Sequence, residues 1–320
     1  MITDNWLRDP EDSYNNKTGY YGSECDGGFA EYAVLPAQKA VAVKLSLSDA
    51  ELATFSCSLS TGEGMLSRAS VTALDTVLVP GALGGVGGAL VQLAKRRGAR
   101  VIVLASEAKH DDVLVLGADR VLPRGPADLR GALGEEKITV VADVVGGDYW
   151  PTLIDILERG RRYTCSGAIA RPMVEFDLRT FYLRDLTFTG STVIDPEVMA
   201  NLITYIEAGE IKPALVTAYL LEELREAQAA FIAKQNTGNI VVTPWTCSDL
   251  SYEDHAYLCF SGGPAAGALV LAVWWSFEIR SFGRDAYQNR NRCWCHRLGR
   301  RHTVGAHICA RTWARHSGGS

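Results

Sequence analysis

Between Thr76 and Gly190 the chain alternates short apolar, largely β-branched runs with stretches whose apolar residues recur at helical spacing. The runs Thr76 to Val79, Arg100 to Leu104, Arg120 to Leu122, Thr139 to Val145, Arg162 to Ser166 and Leu186 to Gly190 predict six strands. Their apolar character is near-continuous, as expected of strands covered on both faces. Between the first two, Val86, Leu90, Leu93 and Ala94 fall on one helical face and predict a helix over Gly88 to Arg97. Arg96, Arg97 and Gly98 suit its end, because cations offset the negative pole of the helix dipole and glycine accepts the left-handed cap. Further helices are predicted at Asp148 to Leu157, Pro196 to Ala208 and Leu221 to Lys234. Strands and helices in this alternation predict an α/β fold, a doubly wound parallel sheet with crossover helices.

Composition narrows the function. With 320 residues there is length for about two domains, and 47% hydrophobic with 22% charged residues is ordinary for a globular chain. The net charge is −5, with no basic stripe through the main body, so the expected partner is a small molecule and not nucleic acid. Met1 to Lys17 lacks the apolar core of a secretory signal, and no run of about 18 apolar residues exists to cross a bilayer. The expectation is a cytoplasmic protein with no membrane partner. Only Cys25, Cys57 and Cys165 precede residue 246, without the spacing of a disulfide framework, and they read as reduced thiols.

The character of the chain changes near Pro244. Thr246 to Ser320 holds nine arginines and no lysine, with five of the eight cysteines, five of the six histidines and four of the seven tryptophans. Five acidic residues there leave that segment at +4 and the rest of the chain at −9. No helical or strand period is evident over Arg280 to Ser320, so 246–320 is expected to be an appended, irregular and disordered tail. Ala265 to Phe277 is too short to span a membrane. The spacing of Cys293, Cys295, His296, His302, His307 and Cys309 matches no standard zinc finger.

The richest stretch is Thr76-Val77-Leu78-Val79-Pro80-Gly81-Ala82-Leu83-Gly84-Gly85-Val86-Gly87. Ala82, Gly84 and Gly87 fit a G/A-x-G-x-x-G pattern set between a predicted strand and a predicted helix, with another strand a helix length later. This is the arrangement of a dinucleotide-binding βαβ unit. Residues without side chains let the backbone approach a diphosphate, and the free N–H groups of the helix start meet its charge. The expected contacts are Gly81, Ala82, Gly84, Gly85, Val86 and Gly87. The next strand ends at Ala105, which cannot bind a ribose 2′-hydroxyl as a carboxylate would, whereas Ser106 and Lys109 can engage a 2′-phosphate. This favours NADP, with NAD as the alternative should Glu107 turn inward.

These residues, together with Gly27 to Tyr32, Pro36-Ala37, Ala53 to Thr61, Val91 to Lys95, Leu116 to Asp119, Asp143 to Gly147 and Gly238 to Val242, resemble the medium-chain dehydrogenase/reductase superfamily. That group includes zinc-type alcohol dehydrogenases and quinone reductases. The likeness runs in order over about residues 19 to 244. It implies a Rossmann domain at 51–192, a partial GroES-like catalytic domain at 1–50, a return of the chain to that domain at 193–245, and substrate in the cleft between. The start looks truncated: the strands that carry a glycine-histidine-glutamate motif are absent, as are the four cysteines of a structural zinc lobe. Asn239 stands where the superfamily often has lysine. Related enzymes are commonly dimers or tetramers, so the resemblance also implies a homo-oligomer.

The resemblance further implies site residues. Cys57 lies in the segment that supplies a third catalytic zinc ligand, but no histidine precedes His110, so zinc is not expected to be held. Thr61 is placed to hydrogen-bond the substrate oxygen or the nicotinamide ribose. Val145 with Gly146, and Ser166 with Gly167 and Ala168, look like the segments that support the nicotinamide end. Asp143 is expected to orient a loop and not to act as a general base. The implied reaction is hydride transfer between nicotinamide and a carbonyl, alcohol or activated alkene. The alternatives are an inactive NADP(H)-binding protein and a fragment of a zinc-dependent alcohol dehydrogenase.

Overall fold

The computed structural model describes residues 2–3, 6–7, 18–30, 33, 35, 39–193, 195–233 and 237–244; the tail expected at 246–320 lies outside them. Two short antiparallel pairs come first: β1 (Ile2–Thr3) pairs with β4 (Ala40–Val41), and β2 (Trp6–Leu7) with β3 (Gly19–Tyr20). Helix α1 (Asp49–Ala53) starts at a capping box, in which the Ser48 hydroxyl accepts from Glu51 N–H and the Glu51 carboxylate accepts from Ser48 N–H. Helix α2 (Ser56–Arg68) follows and leads into the main sheet.

That sheet is built by β5 (Thr76–Val79), β6 (Arg100–Ala105), β7 (Arg120–Pro123), β8 (Val140–Asp143), β9 (Arg162–Cys165) and β10 (Thr187–Gly190). The crossovers contain α3 (Gly85–Arg96), α4 (His110–Val115), α5 (Leu129–Leu133), α6 (Trp150–Asp155) and α7 (Leu178–Leu183). All pairings are parallel, in the order β10-β9-β8-β5-β6-β7. This is a Rossmann-type doubly wound sheet. Strand periodicity splits its core in two. Val77, Val79, Val101 and Val103 pack with Met65 and Leu66 of α2 and Leu90 and Leu93 of α3, joined by Leu202 of α8 (Pro196–Glu207). Leu78, Ile102, Leu104 and Val141 point the other way, onto Leu129, Leu133, Trp150 and Leu153. The chain then adds a parallel pair, β11 (Leu215–Leu220) and β12 (Asn239–Thr243), with α9 (Leu224–Ala233) between them.

Several boundaries differ from expectation for local reasons. Helix α3 begins at Gly85, three residues before the expected Gly88, because extended Gly84 serves as its N-cap. Strand β8 stops at Asp143 and not Val145, since left-handed Gly146 and Gly147 turn the chain away. The helix expected at Asp148 to Leu157 is a 3-10 turn at Gly147–Tyr149 followed by α6, with Pro151 in the first helical turn. Strand β11 was not expected at all.

Candidate active site

Strand β5 lies between β6 and β8, so the crossovers from it leave in opposite directions and open a crevice at the carboxyl ends of the strands. The glycine turn occupies that point, and its two framework glycines do different work. A Cβ at Gly87 would overlap the Gly81 carbonyl and lie 2.8 Å from Ala82 Cα, so this position exists for close helix–strand packing. A Cβ at Gly84 would meet nothing nearer than the Gly81 oxygen at 4.0 Å, and the residue is exposed. Gly84 is extended (φ −78, ψ 167) and no side chain caps the helix, so the first-turn N–H groups have no side-chain acceptor at the cap. Ala82 and Val86 are buried. A cleft of about 440 Å³ opens beside the turn between Leu83, Asp112 and Leu116 of the α4 region, and Thr237. Gly238 N–H donates to the Leu83 carbonyl (3.2 Å), fastening the start of β12 to the outside of the turn.

At the end of β6, Ala105 is fully buried and Ser106 is exposed. Ser106 caps a 3-10 turn, Glu107–Lys109, by accepting Lys109 N–H at 3.0 Å. The fold thus brings Ser106 and Lys109 together on one turn beside the crevice, with Glu107 exposed on the same turn. The Leu116 to Asp119 segment is structural. Asp119 accepts from Lys95 Nζ (2.9 Å) and from Val101 N–H (2.7 Å). Burial alone would raise its pKa, but these hydrogen bonds hold the carboxyl below its ordinary value.

The other side of the crevice is formed by the loops after β8 and β9. If Gly81 carried a Cβ, it would lie 2.8 Å from a Val145 methyl, so the two loops meet across the crevice floor. Fully buried Asp143 accepts Val145 N–H at 2.7 Å and Gly146 N–H at 3.2 Å, and Tyr163 donates its hydroxyl at 2.9 Å. Burial pushes the Asp143 carboxyl up, and these donors work against the rise. Burial also raises the pKa of Tyr163. Ser166, Gly167 and Ala168 are half-buried, and Ser166 N–H donates to the Asp143 carbonyl at 3.4 Å.

Helix α2 supplies Cys57 and, one turn later, Thr61 on the same side of the helix. Cys57 is buried and shares a hydrogen bond of 3.3 Å with the Tyr20 hydroxyl; Thr61 is half-exposed. Asn239 is buried at the junction. Its amide donates to the Thr54 carbonyl (3.2 Å), and its oxygen accepts from Ser58 (3.1 Å).

Comparison with known proteins matches this architecture. Residues 85–208 fit the family described as zinc-binding dehydrogenase. A protein named as an alcohol dehydrogenase from Sinorhizobium meliloti superposes with a TM-score of 0.72 at 44% identity, over 75% of this chain and 68% of that one. The chain belongs to the medium-chain dehydrogenase/reductase superfamily. A thermostable alcohol dehydrogenase from Pyrobaculum aerophilum, described as cobalt- and zinc-bound, matches at 29% identity and TM-score 0.68, over 76% of this chain and 74% of that one. An acryloyl-coenzyme A reductase from Metallosphaera sedula is 28% identical over 75% of this chain and 72% of its own length.

As a medium-chain dehydrogenase/reductase, the chain is tested by two groups its superfamily uses. The nicotinamide coenzyme fits: an open glycine and a packed one stand at a reversal of strand order, with no side chain capping the helix that starts there. A catalytic zinc finds no ligand set among the described residues. Among the described residues no three His, Cys, Asp or Glu side chains cluster as metal ligands, and Cys57 faces a tyrosine hydroxyl. Among the described residues, too, no helix is long and apolar enough to cross a membrane. Two contributors to the site escaped sequence reasoning. Tyr20 reaches Cys57 from 37 positions away, and no motif marks it. Tyr163 sits within an apolar strand and looks like core, and its hydroxyl is explained only by the buried carboxylate beside it.

Proposed function

We propose that the chain is an oxidoreductase that binds NADP(H) and moves hydride between the nicotinamide and a small molecule bearing an activated alkene or a carbonyl. The observation that carries this reading is the division of labour in the turn, Gly87 packed against Gly81 and Gly84 left open. In this reading the N–H groups of Gly85 and Val86 meet the diphosphate, with Gly81 and Ala82 shaping the turn and Gly87 holding the helix close to the strand. Ser106 and Lys109 take the 2′-phosphate of the adenosine ribose, which favours NADP over NAD. Val145, Gly146, Ser166, Gly167 and Ala168 line the nicotinamide end.

The bound coenzyme supplies the hydride; the protein orients it, excludes water and stabilises charge on the substrate oxygen. Thr61 is the proposed donor to that oxygen, and Cys57, held by Tyr20, forms the wall beside it. The name of the Metallosphaera relative, a reductase of an acryloyl thioester, supports an activated alkene as substrate class. The domain division at 1–50, 51–192 and 193–245 belongs to the same proposal.

Calorimetric titration with NADPH and NADH, followed by NADPH oxidation assays with enones, quinones and aldehydes, tests the proposal. Tighter binding of NADPH and oxidation with at least one acceptor class are expected. Binding without turnover leaves an inactive nucleotide-binding protein, and failure to bind either coenzyme overturns the reading.

A further inference from the structure

The loops that follow β8 and β9 are joined along their length by their own backbones. Ile169 N–H donates to the Val144 carbonyl (3.3 Å), Ala170 N–H to that of Val145 (2.9 Å), and Gly147 N–H to that of Arg171 (3.0 Å). Arg171 also pairs with Asp148 at 2.8 Å. The positive φ of Gly146 and Gly147 serves this junction. A Cβ on Gly146 would lie 2.9 Å from the Arg171 carbonyl oxygen, and one on Gly147 would lie 3.0 Å from Ala170 Cβ. The two loops therefore form one ledge, and the Asp143 carboxylate anchors its β8 side from beneath. Asp143 spends both carboxylate oxygens on Val145 N–H, Gly146 N–H and the Tyr163 hydroxyl.

We propose that Asp143, braced by Tyr163, is a positioning residue that sets the height of this ledge against Gly81 and so fixes the nicotinamide half of the coenzyme, while the adenosine half is held independently of it. The argument is geometric. Val145, whose N–H is tied to Asp143, places a methyl 2.8 Å from where a Cβ on Gly81 would stand, so it faces Gly81 directly across the crevice. Ser106 and Lys109 lie instead at the end of β6, on the other side of β5. Loss of the anchor lets the ledge shift against Gly81, while Ser106 and Lys109 keep their place at the end of β6. Burial favours the neutral carboxyl at Asp143, and the three donors oppose that by favouring its charged form.

The inference rests on the proposed coenzyme site, and its test separates the two. The wild-type chain, Asp143→Asn and Tyr163→Phe are titrated with NADPH and with 2′-phospho-ADP-ribose, which lacks the nicotinamide. If NADH proves the tighter coenzyme, NADH and ADP-ribose take their places. The expected result is NADPH binding weakened roughly tenfold in Asp143→Asn and roughly threefold in Tyr163→Phe, with fragment affinity within about twofold of wild type. Equal weakening of both ligands would make Asp143 a support of the whole fold and overturn the proposal, as would no change in either. If Asp143→Asn does not fold, Tyr163→Phe decides by the same comparison, since it removes one donor and keeps the ring packed against Trp150 (5.8 Å between centroids). Wild type that binds neither ligand defeats the coenzyme site itself, a result distinct from binding wild type with indifferent variants.

Discussion

A single methyl group distinguishes the two framework glycines of the turn. Gly84→Ala fits its backbone conformation and meets open space, so folding is expected to survive, with thermal denaturation within about 2 °C of wild type. The methyl would occupy the diphosphate approach, and NADPH affinity should fall about tenfold or more in calorimetry. Gly87→Ala drives its methyl into the Gly81 carbonyl and should cost about 1–3 kcal/mol of stability before any ligand is added. Asp75 gives a prediction of another kind at the same scale. It is buried at the opposite end of the sheet, accepting from Thr139 (2.7 Å) and Thr72 N–H (2.8 Å) and paired with Arg162. Burial would raise its pKa, but these donors and the guanidinium leave it lowered. A lowered folded pKa means stability that is present at neutral pH and lost as the pH falls through the folded value. Asp75→Asn should therefore cost about 2 kcal/mol at pH 7, and its urea denaturation curve should converge with that of wild type in acid.

Among the elements, α2 and α3 depend most on one another, because they pack closely at Gly62 and share a buried ion pair. Glu63 and Arg97 meet at 2.8 Å with side chains 4% and 16% exposed. Burial pushes the glutamate pKa up and the arginine pKa down, each charge being offset by the other. Glu63→Ala should leave the arginine buried and uncompensated at a cost of about 3–5 kcal/mol, while the double change to methionine at both positions should recover most of it in chemical denaturation. Nothing in a sequence pattern announces such a pair, since one member lies within α2 and the other at the C-cap of α3. The same limit separates what was legible here from what was not. Strand β5 was readable to the residue, because Thr76 to Val79 is an apolar run stopped by Pro80-Gly81. The start of α3 was read three residues late, since Gly85, Val86 and Gly87 look like a helix breaker until the extended cap at Gly84 is seen. Strand β11 was missed because none of its residues is buried, it carries a register shift between Leu215 and Thr217, and its partner lies beyond an intervening helix. In the site, glycine spacing pointed to the turn and the strand ends to Ser106 and Val145. The partners of Cys57 and Asp143 depend on chain crossings that periodicity does not encode.

At the scale of the molecule, one reversal of strand order organises the proposed chemistry. A coenzyme laid across it would touch the ends of β5 and β6 on one side and of β8 and β9 on the other, linking both halves of the sheet. Such a ligand stabilises the folded state by mass action, by about 2.7 kcal/mol at a hundredfold excess over its dissociation constant. The midpoint of thermal unfolding should rise by about 5 °C or more with NADPH at that excess. The groups argued to hold the coenzyme lie between Gly81 and Ala168, and the last described contact to the turn is made by Gly238. A variant lacking Thr246 to Ser320 should therefore show the same NADPH-dependent shift as the full chain when both are scanned side by side. Loss of the shift in the shortened variant, with its unliganded midpoint unchanged, would place part of the coenzyme site in that arginine- and cysteine-rich segment and would require the crevice to be redrawn.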